Sequence, residues 1–261
     1  MILRGAVSGF VAAAGLVFSP PGGAFASDGQ GTAYRQCVET AWTDPDAALA
    51  EADRRIKADE GDIAARHCRA IALFELGQYG QAGPLMRSVA LSLPDHRGDA
   101  RAELLGQAAK AYALNGDYLT AQTNLDEAIA MAPDMPGLTP YLKVDRAHMS
   151  LALGNCAAAE ADASSAIKRL PELTEAYLVR IACRRRAEDF SAARADIQRI
   201  LANDPGNPDA LLERGLLRLA LDDTSGARAD WVRVVTEAPN TQASAFASRE
   251  LAKLEARDQL N

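Results

Sequence analysis

The feature that most constrains the fold is a repeat of about 34 residues. Five prolines each end an apolar helical pattern, and the last two intervals between them are 34 residues long. The two earlier intervals are 39 and 38 residues, and the extra residues follow the proline, where a loop accepts insertions at little cost. These prolines are Pro94, Pro133, Pro171, Pro205 and Pro239. The period predicts a stack of similar units that bury their apolar faces against one another.

Each repeat contains two helical stretches around a short turn. When the proline takes position 32 of a 34-residue frame, position 20 is alanine in all five units, and position 8 is small in four of them. Small residues let two antiparallel helices approach closely, and the proline ends the second helix. The alanines at position 20 are Ala82, Ala121, Ala159, Ala193 and Ala227. The unit is therefore predicted to be helix, turn, helix.

This pattern resembles the tetratricopeptide-repeat (TPR) family. Residues 102–133 carry the resemblance best, with Tyr112, a turn from Asn115 to Tyr118, Ala121 and Pro133. The resemblance implies an all-α fold, a right-handed α-solenoid, spanning residues 27–261. The predicted repeats are 29–62, 63–96, 102–135, 140–173, 174–207 and 208–241, and residues 242–258 form a C-terminal capping helix.

The first 26 residues are typical of a signal peptide. Arg4 precedes an uncharged stretch at 6–18, and Ala24-Phe25-Ala26 forms a small-residue cleavage site before Ser27. The uncharged stretch is 13 residues, whereas a membrane-spanning helix needs about 20. We therefore expect cleavage after Ala26, no membrane span in the mature chain, and a periplasmic or secreted location.

Four cysteines in an exported chain favour disulfides. They are Cys37, Cys68, Cys156 and Cys183. In a solenoid each repeat contacts only its neighbours, so the first two cysteines cannot reach the last two. The pairing that remains is Cys37–Cys68 and Cys156–Cys183, and buried free thiols are the alternative, above all for the second pair.

An arginine and an aspartate lie 16 residues apart in each of the last three repeats. The pairs are Arg146 with Asp162, Arg180 with Asp196, and Arg214 with Asp230. In the helix-turn-helix frame the two positions face each other across the helix pair. A catalytic site has no use for three copies, so these pairs are predicted to be structural ion pairs that fix helix register.

Composition and motifs argue against several classes of function. The chain has 28 Lys and Arg against 35 Asp and Glu, a net charge of −7, and only 5% aromatic residues, which disfavours nucleic-acid binding. The sequence carries no nucleophile elbow, phosphate-binding glycine loop or paired zinc ligands. We therefore expect no catalysis, no cofactor and no metal.

The TPR resemblance implies a concave groove lined by the first helix of each repeat. Within that groove, Arg185 and Arg186 are candidates to hold a carboxylate or a peptide C-terminus, and ordinary exposed residues are the alternative. The candidate groove residues are His67, Phe74, Gln107, Lys110, Tyr141, Asp145, His148, Arg185, Arg186 and Glu213. The sequence thus predicts a non-enzymatic scaffold or adaptor that binds a peptide or protein partner. The alternatives are a structural subunit of a cell-envelope assembly and a carrier of a small ligand.

Overall fold

In the computed structural model, which describes residues 30–259, the regular elements are thirteen α-helices and one 3-10 turn. The predicted signal peptide, residues 1–26, lies outside the described residues. The helices are α1 (Gln30–Thr43), α2 (Pro45–Ala58), α3 (Ile63–Glu75), α4 (Tyr79–Ser92), α5 (Gly98–Leu114), α6 (Tyr118–Met131), α7 (Thr139–Ala152), α8 (Cys156–Arg169), α9 (Thr174–Arg186), α10 (Phe190–Asn203), α11 (Pro208–Ala220), α12 (Thr224–Glu237) and α13 (Gln242–Asp258).

The helices form two compact units, which divide between Gly154 and Asn155. In the first unit, helices α1 to α7 each pack against the next, and α3 also contacts α1 while α5 contacts α7. In the second unit, α8 to α13 follow the same order, and α11 also contacts α9 and α13. The thirteen helices of the described residues follow one another along the chain in the order that the predicted helix-turn-helix units and cap require, with α7 in the first unit and α8 in the second. A single solenoid through residues 27–261 stays a prediction.

The turn inside each repeat has the same backbone conformation in five repeats. Position 15 of the frame has a positive φ each time, in the left-handed region that favours glycine. Three of these residues are glycine, whereas Glu188 (φ 59°) and Asp222 (φ 62°) adopt the conformation in the last two repeats. The glycines are Gly77, Gly116 and Gly154. The side chains at 188 and 222 therefore carry backbone strain that glycine avoids.

Short polar side chains start most of the second helices. Asp117, Asn155, Asp189 and Asp223, all at position 16 of the frame, each accept a hydrogen bond from the backbone N–H three residues later. Such a bond satisfies one of the donors that a helix N-terminus leaves unpaired. Gln78 takes this place before α4 and forms no side-chain cap. The turn is thus followed at once by a helix start.

Small residues let neighbouring helices within a unit approach closely. The five alanines at position 20 are all fully buried. At position 8 of the last repeat, Gly215 leaves room for the fully buried indole of Trp231, and a Cβ atom there would collide with it. The indole Nε1 donates a hydrogen bond to the carbonyl of Leu212 at 3.3 Å. Glycine is therefore required at 215 because a tryptophan fills the space across the pair.

Two of the three predicted arginine–aspartate pairs lie between the helices of one repeat. Arg180 donates to both carboxylate oxygens of Asp196, at 2.8 and 2.7 Å, and Arg214 donates to both oxygens of Asp230, at 2.9 and 2.6 Å. Arg146 forms an ion pair with Asp126 at 2.7 Å, and its pairing with Asp162 stays a prediction.

A second arginine, which the spacing did not predict, joins each of these two aspartates. Arg184 donates to Asp196 at 2.9 Å, and Arg218 donates to Asp230 at 2.7 Å. Each arginine lies one helical turn after the predicted partner. Both carboxylates are buried and have lost most of their hydration, and the hydrogen bonds from two guanidinium groups compensate for that loss.

The two predicted cysteine pairs differ in the structure. Cys37 on α1 and Cys68 on α3 face each other in disulfide geometry, with Cα atoms 6.1 Å apart. Cys156 and Cys183 are free thiols, which is the alternative that the sequence left open. Burial, and then a hydrogen bond with Cys156, raises the pKa of the Cys183 thiol. A thiol kept protonated is a poor nucleophile for disulfide formation.

We predict that Cys37 and Cys68 form a disulfide in the oxidised protein. The bond would close a loop of 31 residues and, in a chain-entropy estimate, add about 3–4 kcal/mol to the free energy of unfolding. Mass spectrometry of a non-reduced proteolytic digest should show the two cysteine peptides linked, and reduction should separate them. Free thiols at both positions in protein purified without reductant would contradict the prediction.

We also predict that Glu188→Gly stabilises the protein. Glycine relieves the strain at the positive φ and loses part of the gain to the greater entropy of the unfolded chain, so the expected increase in the free energy of unfolding is about 0.5–1 kcal/mol. Urea unfolding followed by circular dichroism measures it. Gly116→Ala, at the same position of an earlier repeat, should lower the stability by a similar amount. A loss of stability in Glu188→Gly would show that the backbone at 188 is not strained.

Candidate partner-binding groove

A row of hydrogen bonds crosses the first helices of the first unit. The hydroxyl of Tyr34 on α1 lies 2.8 Å from Nδ1 of His67 on α3, and Nε2 of His67 lies 2.9 Å from Oε1 of Gln107 on α5. All three side chains are buried, with exposed fractions of 3%, 0% and 9%. The row connects three consecutive first helices without any charged group.

The protonation of this row follows from its chemistry. Oε1 of Gln107 can only accept, so Nε2 of His67 carries the proton and Nδ1 accepts from Tyr34. Burial lowers the pKa of His67 to about 4, although the hydrogen bond with Gln107 acts in the opposite direction. Burial also raises the pKa of Tyr34, and the nearby charge of Glu103 adds to that shift. The row is therefore neutral near pH 7 and acts as a structural link.

Two residues that the sequence assigned to partner contact are thus enclosed by the protein. His67 and Gln107 are polar and lie at groove positions, but they satisfy each other's hydrogen bonds across adjacent helices and withdraw from solvent. Their side chains join α3 to α5 and are closed to a partner. Their predicted contact role is corrected accordingly.

Near this row, a cation, two aromatic rings and carboxylates come from α3, the start of α4, α5 and α7. The ammonium of Lys110 lies 5.9 Å from the ring centroid of Phe74, which also contacts the Tyr79 ring edge to face at 5.2 Å. Burial lowers the pKa of Lys110, while the charges of Asp145 and Glu75 act in the opposite direction. The partly desolvated ammonium of Lys110 over the Phe74 ring can form a hydrogen bond or an ion pair with a polar group of a partner.

Tyr141 on α7 provides an exposed aromatic side chain in the same unit. It is 40% exposed, one of few large apolar side chains with that much accessible surface among the described residues. Tyrosine combines apolar area with a hydrogen-bonding hydroxyl and loses little entropy on binding, so it is well suited to contact a partner.

Glu103 on α5 is a candidate contact residue that the sequence pattern did not single out. This half-buried carboxylate forms no hydrogen bond or ion pair with any residue that the structure describes. Burial, and then the charge of Asp99 one turn earlier, raises its pKa to about 7. A signal was present, because Glu103 holds position 2 of its repeat and Tyr141 holds position 2 of the next. A carboxylate in this state gains most from a cation.

His148 on α7 is held in an unusual state. Both ring nitrogens are buried, and neither has a hydrogen-bond partner within the described part of the chain. Burial lowers the pKa of His148 to about 4, so the ring is neutral near pH 7. Because buried polar atoms are normally paired, these two nitrogens cost stability.

In the second unit, the candidate arginines have different surroundings. Nε of Arg185 donates to the buried carboxylate of Glu213 at 3.0 Å, so two predicted groove residues bind each other. Arg186 is exposed, and its charge acts on the thiol of Cys183. The expected pair of free arginines for a partner's carboxylate is therefore not what the structure presents, because Glu213 already neutralises Arg185.

Two features of the described residues bear on other classes of site. None of the helices there combines the length and apolar character needed to span a membrane. Within residues 30–259, no three His, Cys, Asp or Glu side chains come together in a group suited to a metal ion.

Comparison with protein families matches the second half of the chain to one family model. That model, described as "Tetratricopeptide repeat", matches residues 144–208 and 184–243. A comparison with curated proteins finds no significant match.

Several solved structures share the fold. PilW, described as a "widely conserved type IV pilus biogenesis factor", has a TM-score of 0.64 at 18% identity over 82% of this chain and 98% of that chain. PilF of Pseudomonas aeruginosa has a TM-score of 0.63 at 15% identity over 85% and 100%. YrrB, described as "a TPR protein with an unusual peptide-binding site", has a TM-score of 0.53 at 15% identity over 76% and 97%. At these identities the likeness shows the fold, a TPR-type α-solenoid.

We predict that His148→Leu stabilises the protein, and more so at acid pH. In the native state the pKa of His148 is lowered to about 4, whereas in the unfolded state it has its ordinary value of 6.5. As the pH falls from 6.5 to about 4, His148 is therefore protonated in the unfolded state but stays neutral in the native state, which destabilises the parent protein. The advantage of the variant over the parent in free energy of unfolding should grow by roughly 1 kcal/mol per pH unit in that window.

Urea unfolding of the parent and the variant at a series of pH values gives this difference. His67 and Glu103 also titrate but are present in both proteins, so they cancel. His96→Leu is the control, since His96 is exposed and has no burial to relieve. A difference that does not change between pH 7 and 4.5 would show that His148 is solvated.

Proposed function

We propose that this protein, which belongs to the tetratricopeptide-repeat family, is a scaffold that binds an extended segment of a protein partner across the first helices of its first unit. The observation that carries the proposal is the group of Phe74, Glu103, Lys110 and Tyr141, which lies on consecutive first helices and is accessible or half-buried. The fold resemblance to YrrB, whose description names a peptide-binding site, is consistent with it.

The charges of this group favour a partner segment with a basic and an apolar side chain. Glu75 and Asp145 act on Lys110 beside Phe74, and Glu103 on α5 adds a third carboxylate, so acidic side chains outnumber the single cation of the group. A cation beside Glu103 would neutralise a carboxylate that has no ion pair of its own within the described residues. Separate apolar side chains of the segment can cover Phe74 and Tyr141, while complementary charges fix the register of the segment.

The buried row supports this function by holding the first helices still. Tyr34, His67 and Gln107 fix the positions of α1, α3 and α5 relative to one another before a partner arrives. A surface held in its bound arrangement loses less entropy on binding. We further propose that the protein acts in the periplasm or outside the cell, on the basis of the leader-like sequence at residues 1–26.

We predict that a photo-crosslinking amino acid in place of Tyr141 captures a specific partner in the native host. The same amino acid in place of Leu119 on α6, which is 67% exposed on a second helix, serves as the control position. The proposal expects a discrete product from 141 that is absent from 119, with mass spectrometry identifying the partner peptide.

A charge reversal tests whether that capture depends on the proposed group. Glu103→Lys should reduce the product from position 141 at least tenfold, because it places a cation against a basic segment. Glu60→Lys makes the same change of charge at an exposed turn and should leave the yield unchanged. Capture that survives Glu103→Lys would contradict the proposed site.

The same experiment separates the proposal from the alternative of a structural subunit. A subunit packed into a larger assembly through its second helices would give products from position 119 and be indifferent to Glu103→Lys. A carrier of a small ligand would give no protein product at either position, and its ligand would raise the unfolding temperature instead.

A further inference from the structure

A cleft of about 660 Å³ lies in the second unit, between α10 and α11, and reaches the start of α12. Its apolar lining comes from Ile197 and Leu201 on α10, from Leu217 on α11 and from Leu221, which directly follows α11. Leu221 is 40% exposed, so apolar surface continues to the mouth of the cleft. The cleft is formed by a second helix as well as a first helix, and it is separate from the groove of the first unit.

Three arginines surround this apolar lining. Arg214 and Arg218 both donate to the buried carboxylate of Asp230, so two guanidinium groups share one negative charge. Asp223, half exposed, lies 3.7 Å from Arg218 and supplies a second negative charge. The third arginine, Arg194, lines the cleft and forms no ion pair or hydrogen bond with any described residue. The cleft therefore carries an excess of positive charge in a chain whose net charge is −7.

The donors at this site suit a carboxylate. Arg194 presents its whole planar fork, which matches the two oxygens of a carboxylate. Arg214 uses Nε and Nη2 for Asp230, and its Nη1 makes no hydrogen bond within the described residues. The guanidinium of Arg194 and the Nη1 group of Arg214 thus border an apolar cleft, whose volume is within the range of known ligand sites.

We propose that this cleft is a second docking site, which takes a segment of a protein partner that carries a carboxylate next to an aliphatic side chain. The aliphatic group enters between Ile197, Leu201 and Leu217, and the carboxylate binds Arg194 at the rim. Complementary charge selects this occupant, because a basic segment would meet an excess of positive charge at Arg194 and a neutral apolar segment would leave Arg194 without a counter-ion.

Nuclear magnetic resonance of the labelled full chain tests this site with defined peptides. The probe is acetyl-Asp-Leu-Asp-Leu-amide, and the signals observed are the Arg194 side-chain N–H and the methyl groups of Leu217 and Leu221. The expected result is a saturable shift of these signals. Acetyl-Lys-Leu-Lys-Leu-amide and acetyl-Asp-Gly-Asp-Gly-amide are the controls for charge and for apolar contact, and both should bind at least tenfold more weakly.

Matched variants on α10 complete the test. Arg194→Glu should weaken binding of the acidic peptide at least tenfold, and it should leave the helical circular dichroism unchanged because Arg194 contacts no other described side chain through a polar bond. Arg199→Glu makes the same change at an exposed position of α10 outside the cleft and should have no effect.

Three outcomes would overturn the proposal. They are the absence of a saturable shift, equal binding of the lysine peptide, and equal weakening by Arg199→Glu. Shifts that depend on protein concentration without peptide would assign the cleft to a second copy of the chain, which also contradicts it. Because Glu103→Lys changes a different unit, it should not alter this binding, and failure of the groove in the first unit is distinguishable from failure here.

Discussion

The close approach of paired helices at small residues is the constraint on which the rest of the structure depends. Alanine at position 20 is fully buried in five repeats, so the second helix of each pair can pack closely against its neighbours. Close packing leaves no room for larger side chains at these contact positions. Gly215 is the clearest example, because the Trp231 indole occupies the space that a Cβ atom at position 215 would need. Close helix packing thus depends on a few positions in each repeat, and the sequence can vary at the remaining positions.

Buried charge gives the second unit a specificity that packing alone does not provide. Asp196 and Asp230 each bind two arginines that lie one helical turn apart, and these bonds fix the register of the two helices in a repeat. Replacing such a set by apolar side chains can preserve stability, whereas removing one partner leaves a buried charge. These aspartates therefore define one alignment of the helix pair.

The sequence predicted the fold because its signals were periodic. Position 20, the turn at position 15 and the 16-residue spacing of Arg180 and Asp196 recur at fixed intervals, so each confirms the others. The site was less predictable, since the burial of His67 and Gln107 depends on hydrogen bonds between repeats, which no single repeat displays. The signal was a hydrogen-bonding residue at position 5 or 6 of three successive first helices, but Tyr34 in the predicted repeat 29–62 was not among the candidate groove residues. The roles of Arg184 and Arg218 were missed because position 11 is Leu73, Tyr112 and Ser150 in the three preceding repeats, so no arginine recurs there until the last two.

A repeat of this kind can carry two unlike surfaces because different positions hold the fold and meet solvent. Glu103 and Tyr141 share position 2 of a first helix, while Arg194 takes position 21 of a second helix, directly after the alanine that packs the pair. Changing one of these side chains does not alter the line of small residues beneath it. The acidic group in the first unit and the arginine cleft in the second are therefore free to differ in charge. If both proposed sites bind as argued, partner segments of opposite charge would be sorted between them, since each proposed surface carries the charge that the other lacks.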